Sequence, residues 1–185
     1  MAVGVFFAEG YEEIEALTVV DLLRRAEIET KMVSVTGNRQ VTGSHQIPVQ
    51  MDALLEEVDF SEIQMIVLPG GMPGTLVLEA CAPLMEQVKA FHQEGKMIAA
   101  ICAAPTIFGH LGLLEGEPAC CYPGMEGDLT GAVVTDGPVA RGRNIITSRG
   151  MGTAIDFGLA IIESIQGPEA ARSMAEKIVY SGWKE

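Results

Sequence analysis

Three short runs of this chain are apolar without interruption: AVGVFF at residues 2–7, MIVL at 65–68 and MIAAI at 97–101. A strand with one wet face alternates apolar and polar residues, whereas a strand covered on both faces has no polar side to present. TKMVSV at 30–35 and NIITS at 144–148 read as further strands. Helix-like segments lie between them. From about Glu12 to Arg25, acids occupy the first turn and Arg24 and Arg25 the last, as the helix dipole favours. PLMEQVKAFHQEG, 83–95, starts on proline and stops on glycine. Further helices are predicted at 103–111, 153–165 and 168–180. Buried strands alternating with helices predict an α/β fold, a mostly parallel sheet with helices on both faces.

The rest reads less regularly. VTGSHQIPVQMD, 41–52, has β-prone residues broken by Gly43 and Pro48, which predicts an edge or hairpin. ALLEEVDF, 53–60, is acidic and predicts a short helix. Residues 115–142 are rich in Gly and Pro and predict irregular structure. No repeat, low-complexity tract or linker interrupts the chain, so one domain over 1–185 is expected.

Length and charge bound the partners. The chain has 185 residues, enough for one well-cored domain and short for two. Twelve Lys and Arg stand against 25 Asp and Glu, a net charge of -13. That balance repels phosphate backbones and anionic membrane surfaces, so neither nucleic acid nor membrane is an expected partner. Cysteines stand at 81, 102, 120 and 121, with no CxxC pair and no Cys/His spacing of a zinc site, so no metal is expected. The start, MAVGVFFAEG, lacks a basic n-region and meets Glu9 early, unlike a signal peptide. Together these predict a reducing cytoplasm. Residues 97–114 carry no formal charge and approach the length of a membrane span, but Pro105, Gly109, His110 and Gly112 interrupt them. They read as a buried strand followed by a buried helix.

In a parallel α/β sheet the functional crevice lies beyond the carboxyl ends of the strands. That rule selects the loops after 2–7, 65–68 and 97–101. They carry Glu12, Glu13 and Glu15, then Pro69-Gly70-Gly71, then Cys102. Cys102 sits where a strand turns into a helix, the logic of a nucleophile elbow, with Ala100 and Ala104 at the small positions. Amides at the helix start are expected to stabilise a thiolate and lower its pKa. The bland alternative is a buried, inert thiol. The N–H groups of Gly70 and Gly71 are placed to hold an oxyanion; the alternative is a tight turn. In AEGYEEIEALTVV, Ile14 and Leu17 are expected to face inward, leaving Glu15 half-buried beside them. A carboxyl in an apolar cleft stays protonated to higher pH and can donate a hydrogen bond or shuttle a proton. The alternative is a solvated first-turn acid, which is the reading for Glu12 and Glu13. None of His45, His92 and His110 is placed beside Cys102, so a Cys–His pairing is unsupported. Cys81 precedes a helix and reads as structural; Cys120-Cys121-Tyr122 lies in the irregular region.

Taken together, AEGYEEIEA, VLPGGMPG, AAICAAPTIFG and TSRGMGT resemble the ThiJ/PfpI superfamily, most closely the branch of the human parkinsonism-associated deglycase and its bacterial relatives. The resemblance runs nearly end to end. It implies a flavodoxin-like three-layer sandwich and a homodimer. It matches Cys102 to the family's elbow cysteine, Glu15 to the acid that hydrogen-bonds that thiol, and Gly70 and Gly71 to the amides facing it. Ala103, next to the elbow, joins the oxyanion and substrate-binding set, and Tyr122, His45 and Arg149 are the cleft residues it suggests. Three positions depart from the pattern. Tyr122 stands where the family often has histidine, Met151 where close relatives often have proline, and His45 where some have arginine. The implied activity is a cofactor-independent, cysteine-dependent glyoxalase or deglycase. It would turn methylglyoxal or glyoxal into a 2-hydroxy acid, with glycated adducts as a second substrate class, in protection against carbonyl and oxidative stress. A redox sensor or stress chaperone built on the same oxidisable cysteine is the alternative. A peptidase or thiamine-pathway role comes last, since no histidine partner or phosphate loop supports it.

Overall fold

The computed structural model of the chain describes residues 1–183. In chain order, β1 (Ala2–Phe7), α1 (Glu13–Arg25) and β2 (Thr30–Ser34) are followed by a hairpin of β3 (Gln40–Thr42) and β4 (Pro48–Gln50). Then come β5 (Ala53–Leu54), β6 (Ile63–Leu68), α2 (Gly74–Ala80), α3 (Ala82–Gln93), β7 (Met97–Ile101) and α4 (Pro105–His110). The short pair β8 (Pro118–Ala119) and β9 (Val133–Val134) precedes β10 (Val139–Arg141), β11 (Ile145–Ser148), α5 (Ala154–Gln166) and α6 (Pro168–Lys177).

Seven strands form one sheet in the order β10-β11-β7-β6-β1-β2-β5. All its pairings are parallel except β10 with β11. The apolar runs divide their side chains between two cores. Val3, Val5, Phe7, Met65, Val67, Ala99 and Ile101 face the side covered by α1, α5 and α6. Ala2, Phe6, Ile66, Leu68, Ile98 and Ala100 face the side covered by α2, α3 and α4. That is why these strands carry no polar alternation: each face meets a helical layer. Burying each large side chain contributes about 1.5–3 kcal/mol. The result is the flavodoxin-like three-layer sandwich.

The chain leaves β1 for β2 on one side and later crosses to β6 on the other. Strand order therefore reverses between β1 and β6, where such sheets open a crevice.

Three expectations are corrected. Residues 53–60 do not form a helix. Ala53 and Leu54 pair with Val33 and Ser34 as the sheet's edge strand, and single 3-10 turns follow at Leu55–Glu57 and Phe60–Glu62. Asp52 draws this segment in, accepting from the Met32 amide at 2.8 Å and from Arg24 at 2.6 Å. Ile14 does not face inward: it is 49% exposed. The buried face of α1 runs through Glu15, Ala16, Val19, Leu22 and Leu23, so Ile14 falls off it and Leu17 lies at its margin. Glu13 is not solvated either; it is buried under the β3–β4 hairpin. The irregular region 115–142 contains three short strands, including β10. Among the described residues no helix is long and apolar enough to cross a membrane.

Candidate active site

The carboxyl ends of β1, β6, β7 and β11 converge on Cys102. Its backbone has φ 67°, a left-handed conformation that costs a non-glycine residue roughly 1–2 kcal/mol. Two hydrogen bonds hold it there. The Cys102 amide donates to Ser148 O at 3.0 Å, and its carbonyl accepts from the Tyr122 amide at 2.7 Å. Residues 102–104 form a turn, and α4 begins only at Pro105. The helix thus starts later than expected, and the cysteine stands on a strained turn ahead of it. Cys102 is partly exposed.

Glu15 meets it from the first turn of α1 with 1% exposure. Glu12 caps that helix: its Oε2 accepts the Glu15 amide at 2.8 Å, while its own amide donates to Gly70 O at 2.9 Å. The Glu15 carboxyl is hydrogen-bonded to the Cys102 thiol. Its Oε2 also accepts the Gly70 amide at 3.0 Å. The Met151 amide is a further donor to it.

Gly70 is glycine for lack of room. A Cβ there would lie 2.6 Å from Cys102 Cβ and 2.7 Å from Glu15 Oε2. Gly71 has φ 95° and packs against the Gly10–Glu12 backbone, a path closed to a side chain. The Gly71 and Ala103 amides face the Cys102 sulfur. The expectation for Gly70 is therefore corrected: its N–H is committed to Glu15. The donors left for an oxyanion near the sulfur are Gly71 and Ala103.

The electrostatics reverse another expectation. The Cys102 thiol is pushed up to about 12, first by burial, then by the Glu15 charge and the hydrogen bond to it. The Ala103 and Gly71 amides pull the other way and are outweighed. Glu15 is pushed up to about 7, chiefly by burial, with the Glu12 charge adding to it. The hydrogen bonds from Cys102, Gly70 and Met151 oppose this rise. The two groups titrate as a unit. While Glu15 is ionised the thiol keeps its proton; a thiolate forms when that proton moves to Glu15.

The other cleft residues divide. Tyr122 reaches the site: a carbon placed on Gly150 would lie 3.5 Å from Tyr122 Cδ2, 3.8 Å from Glu15 Oε1 and 4.0 Å from Cys102 Sγ. His45 sits on the hairpin and binds Glu13 through its amide at 2.7 Å and its ring Nδ1 at 3.0 Å. Arg149 donates to Asp136 O at 3.3 Å. Glu12, Glu13 and His45 each bring one ligand atom within 4.8 Å of the others. Glu13 already accepts from Ser44 and twice from His45, and a helix N-terminus repels a cation, so no metal-ligand set is assigned there. Sequence reasoning missed Ser148 O, Gly150 and the Met151 amide, which act through backbone or through empty space. Their one signal is the strand-to-helix break TSRGMGT.

The profile of the DJ-1/PfpI family matches residues 1–164. The chain belongs to the DJ-1/PfpI family. It is 38% identical to Protein DJ-1 homolog B of Arabidopsis thaliana over 93% of its own length, yet spans only 40% of that relative. It is 30% identical to Glutathione-independent glyoxalase DJR-1.2 of Caenorhabditis elegans, over 92% of this chain and 91% of that one. The solved structure of oxidised Toxoplasma gondii DJ-1 superposes with a TM-score of 0.93 at 36% identity, covering 97% of this chain and 98% of that one. In this DJ-1/PfpI chain the strand ends bring Cys102, Glu15, Gly70, Gly71 and Ala103 together; Tyr122 borders them, while the contacts of His45 and Arg149 lie elsewhere.

Proposed function

We propose that this chain is a cofactor-independent glyoxalase acting on small 2-oxoaldehydes such as methylglyoxal, with glycated adducts as related substrates. One observation carries the reading: a buried carboxyl, held near pKa 7, is hydrogen-bonded to the elbow thiol. An acid poised near the working pH can take and return a proton within one cycle. The family relation to a glyoxalase supports the same reaction class.

In this mechanism Cys102 sulfur adds to the aldehyde carbon as its proton passes to Glu15, giving a hemithioacetal. The Gly71 and Ala103 amides donate to the developing oxyanion. Glu15 returns the thiol's proton to that oxyanion, completing the hemithioacetal hydroxyl, and then, ionised again and kept in place by the Gly70 amide, removes the proton from the former aldehyde carbon. It then delivers a proton to the neighbouring carbon through an enediol, leaving a 2-hydroxy thioester. Water attacks that thioester, the carbon–sulfur bond breaks, and Cys102 regains its proton. The net change is addition of one water, so no redox partner enters.

The test is methylglyoxal loss with matched lactate formation, without glutathione, for wild type beside Cys102→Ser. Turnover in the first and none in the second is the expected result. No turnover in either would overturn the reading and leave Cys102 as an oxidation-sensitive thiol.

A further inference from the structure

The end of β11 and the turn that follows it, 148–153, give the site two backbone groups. Ser148 O accepts the Cys102 amide at 3.0 Å and helps to hold that residue at φ 67°. The Met151 N–H donates to Glu15. The shape of this one turn therefore bears on the nucleophile and on the acid together.

Two hydroxyls fix that shape. Each has one hydrogen to give. The Ser148 hydroxyl lies 2.7 Å from Pro138 O and 3.4 Å from Thr153 O, so its hydrogen goes to Pro138. In the 2.7 Å pair of Ser148 Oγ with Thr153 Oγ1, Thr153 is then the donor. Its other acceptor, Gly150 O at 2.9 Å, already takes the Thr153 amide at 2.8 Å. Thr153 Oγ1 in turn accepts the Gly150 amide at 3.1 Å. The hydrogen bonds thus run one way, from Gly150 N–H to Thr153, from Thr153 to Ser148, and from Ser148 to Pro138 O. They begin one residue before Met151. They end beside Val139, which pairs with Ser148 in the sheet. Ser148 is fully buried, so the anchored end is rigid.

We infer that Thr153 is a positioning residue, its hydroxyl holding, through Ser148, the turn that presents the Met151 amide to Glu15 and the Ser148 carbonyl to Cys102. The inference rests on the carbonyl-addition reading above for its effect on turnover. The titratable groups around Glu15 are Cys102 at the end of β7, Glu12 on its own helix and Tyr122 at the border of the site. The charged group of the turn itself, Arg149, donates to Asp136 O.

Thr153→Val removes the hydroxyl and keeps the shape, whereas Thr153→Ser keeps the hydroxyl. Both are compared with wild type, with thermal melts to verify folding. The first readout needs no turnover: the pH dependence of Cys102 alkylation by iodoacetamide, read on the Cys102 peptide by mass spectrometry. Thr153→Val is expected to move it to higher pH, because a Met151 amide no longer held on Glu15 opposes that acid's rise less. Thr153→Ser is expected to overlay wild type. The second readout is kcat and KM for methylglyoxal. Thr153→Val is expected to lower kcat by about 10- to 10²-fold with KM little changed, and Thr153→Ser to restore it. Ser148→Ala cuts the same series one bond further on. It is expected to give the same alkylation shift, and it replaces Thr153→Val should that variant not fold. An unshifted alkylation profile in the folded variant, or an equal shift in Thr153→Ser, would overturn the inference. Should wild type not turn over methylglyoxal, the proposed reaction falls, and the alkylation profile alone decides the role of Thr153.

Discussion

Glu13 and Glu15 stand two residues apart on α1, both almost fully buried, and their surroundings drive them in opposite directions. Burial raises the pKa of each. For Glu13 that push is overcome by the ring and amide of His45, together with the Ser44 hydroxyl, so its carboxyl falls below the ordinary value of 4.5. Glu15 has the amides of Gly70 and Met151 and a thiol, set against the negative charge of Glu12, and it rises to about 7. Burial alone thus does not decide ionisation; the number and kind of donors that accompany it do. One carboxylate is a fixed anion that pins the hairpin to the helix. The other is a movable proton store beside a nucleophile.

The largest expected effect breaks this contrast at the chemistry. Glu15→Gln keeps the shape and an acceptor for the Gly70 amide but holds no exchangeable acid. Its kcat/KM for methylglyoxal should fall by about 10²- to 10⁴-fold, the span of a lost general acid–base. Glu13→Gln, two residues away, should leave kcat/KM nearly unchanged. Steady-state assays on both proteins, with thermal melts to verify folding, measure the difference. Equal losses would mean that the two acids are not functionally distinct.

The contrast also marks how far the sequence could be read. Met97–Ile101 was legible to the residue, because an apolar run between Gly95 and a turn has few other uses. The carboxyl-end rule put Glu15, Gly70 and Cys102 at one edge, since it needs only strand order and direction. What stayed hidden depends on distant partners or on competing small terms. Glu13 looked solvated because the donors that bury it, Ser44 and His45, lie 31 and 32 residues on. Ala53–Leu54 looked helical because its pairing with β2 is set through Asp52, Arg24 and Met32. The direction of the Cys102 shift was misjudged because helix-start amides were weighed without the Glu15 charge. The loss of Gly70 as an oxyanion donor needed coordinates, since composition does not say where one N–H points.

A middle-sized effect sharpens the comparison through stability. Glu15 has a folded pKa above its unfolded value, so the fold holds the proton more tightly. Its contribution is fully present below about pH 4.5 and is lost as pH rises towards about 7. At 1.36 kcal/mol per unit this is on the order of 3 kcal/mol. Glu15→Gln mimics the protonated acid, so it should melt above wild type at pH 8 and with it at pH 4. Each kcal/mol corresponds to about 2–4 °C in a chain of this size. Glu13 has the opposite sign: its stabilisation is present above 4.5 and is lost as pH falls through its lowered pKa. Glu13→Gln should therefore melt below wild type at pH 8, with the deficit closing in acid. Melting curves from pH 3 to 9 separate the two, and parallel slopes would sink the account.

The smallest effect concerns a single amide. The Met151 N–H lowers the Glu15 pKa, while the Met151 side chain is 53% exposed. Residue 151 opens the 3-10 turn Met151–Thr153, a first helical position where proline's fixed φ is tolerated and its missing N–H breaks no intrahelical bond. Met151→Pro therefore deletes one donor to Glu15 at little cost to the fold. With that donor gone, burial and the Glu12 charge act less opposed, and Glu15 rises further above about 7. The pH dependence of Cys102 alkylation by iodoacetamide should move to higher pH, by less than the full rise already present. Met151→Ala keeps the N–H and should overlay wild type. If Met151→Ala shifted the profile as far as Met151→Pro, the exposed side chain and not the amide would be responsible. The difference between Glu13 and Glu15 would then rest on fewer donors than the geometry assigns.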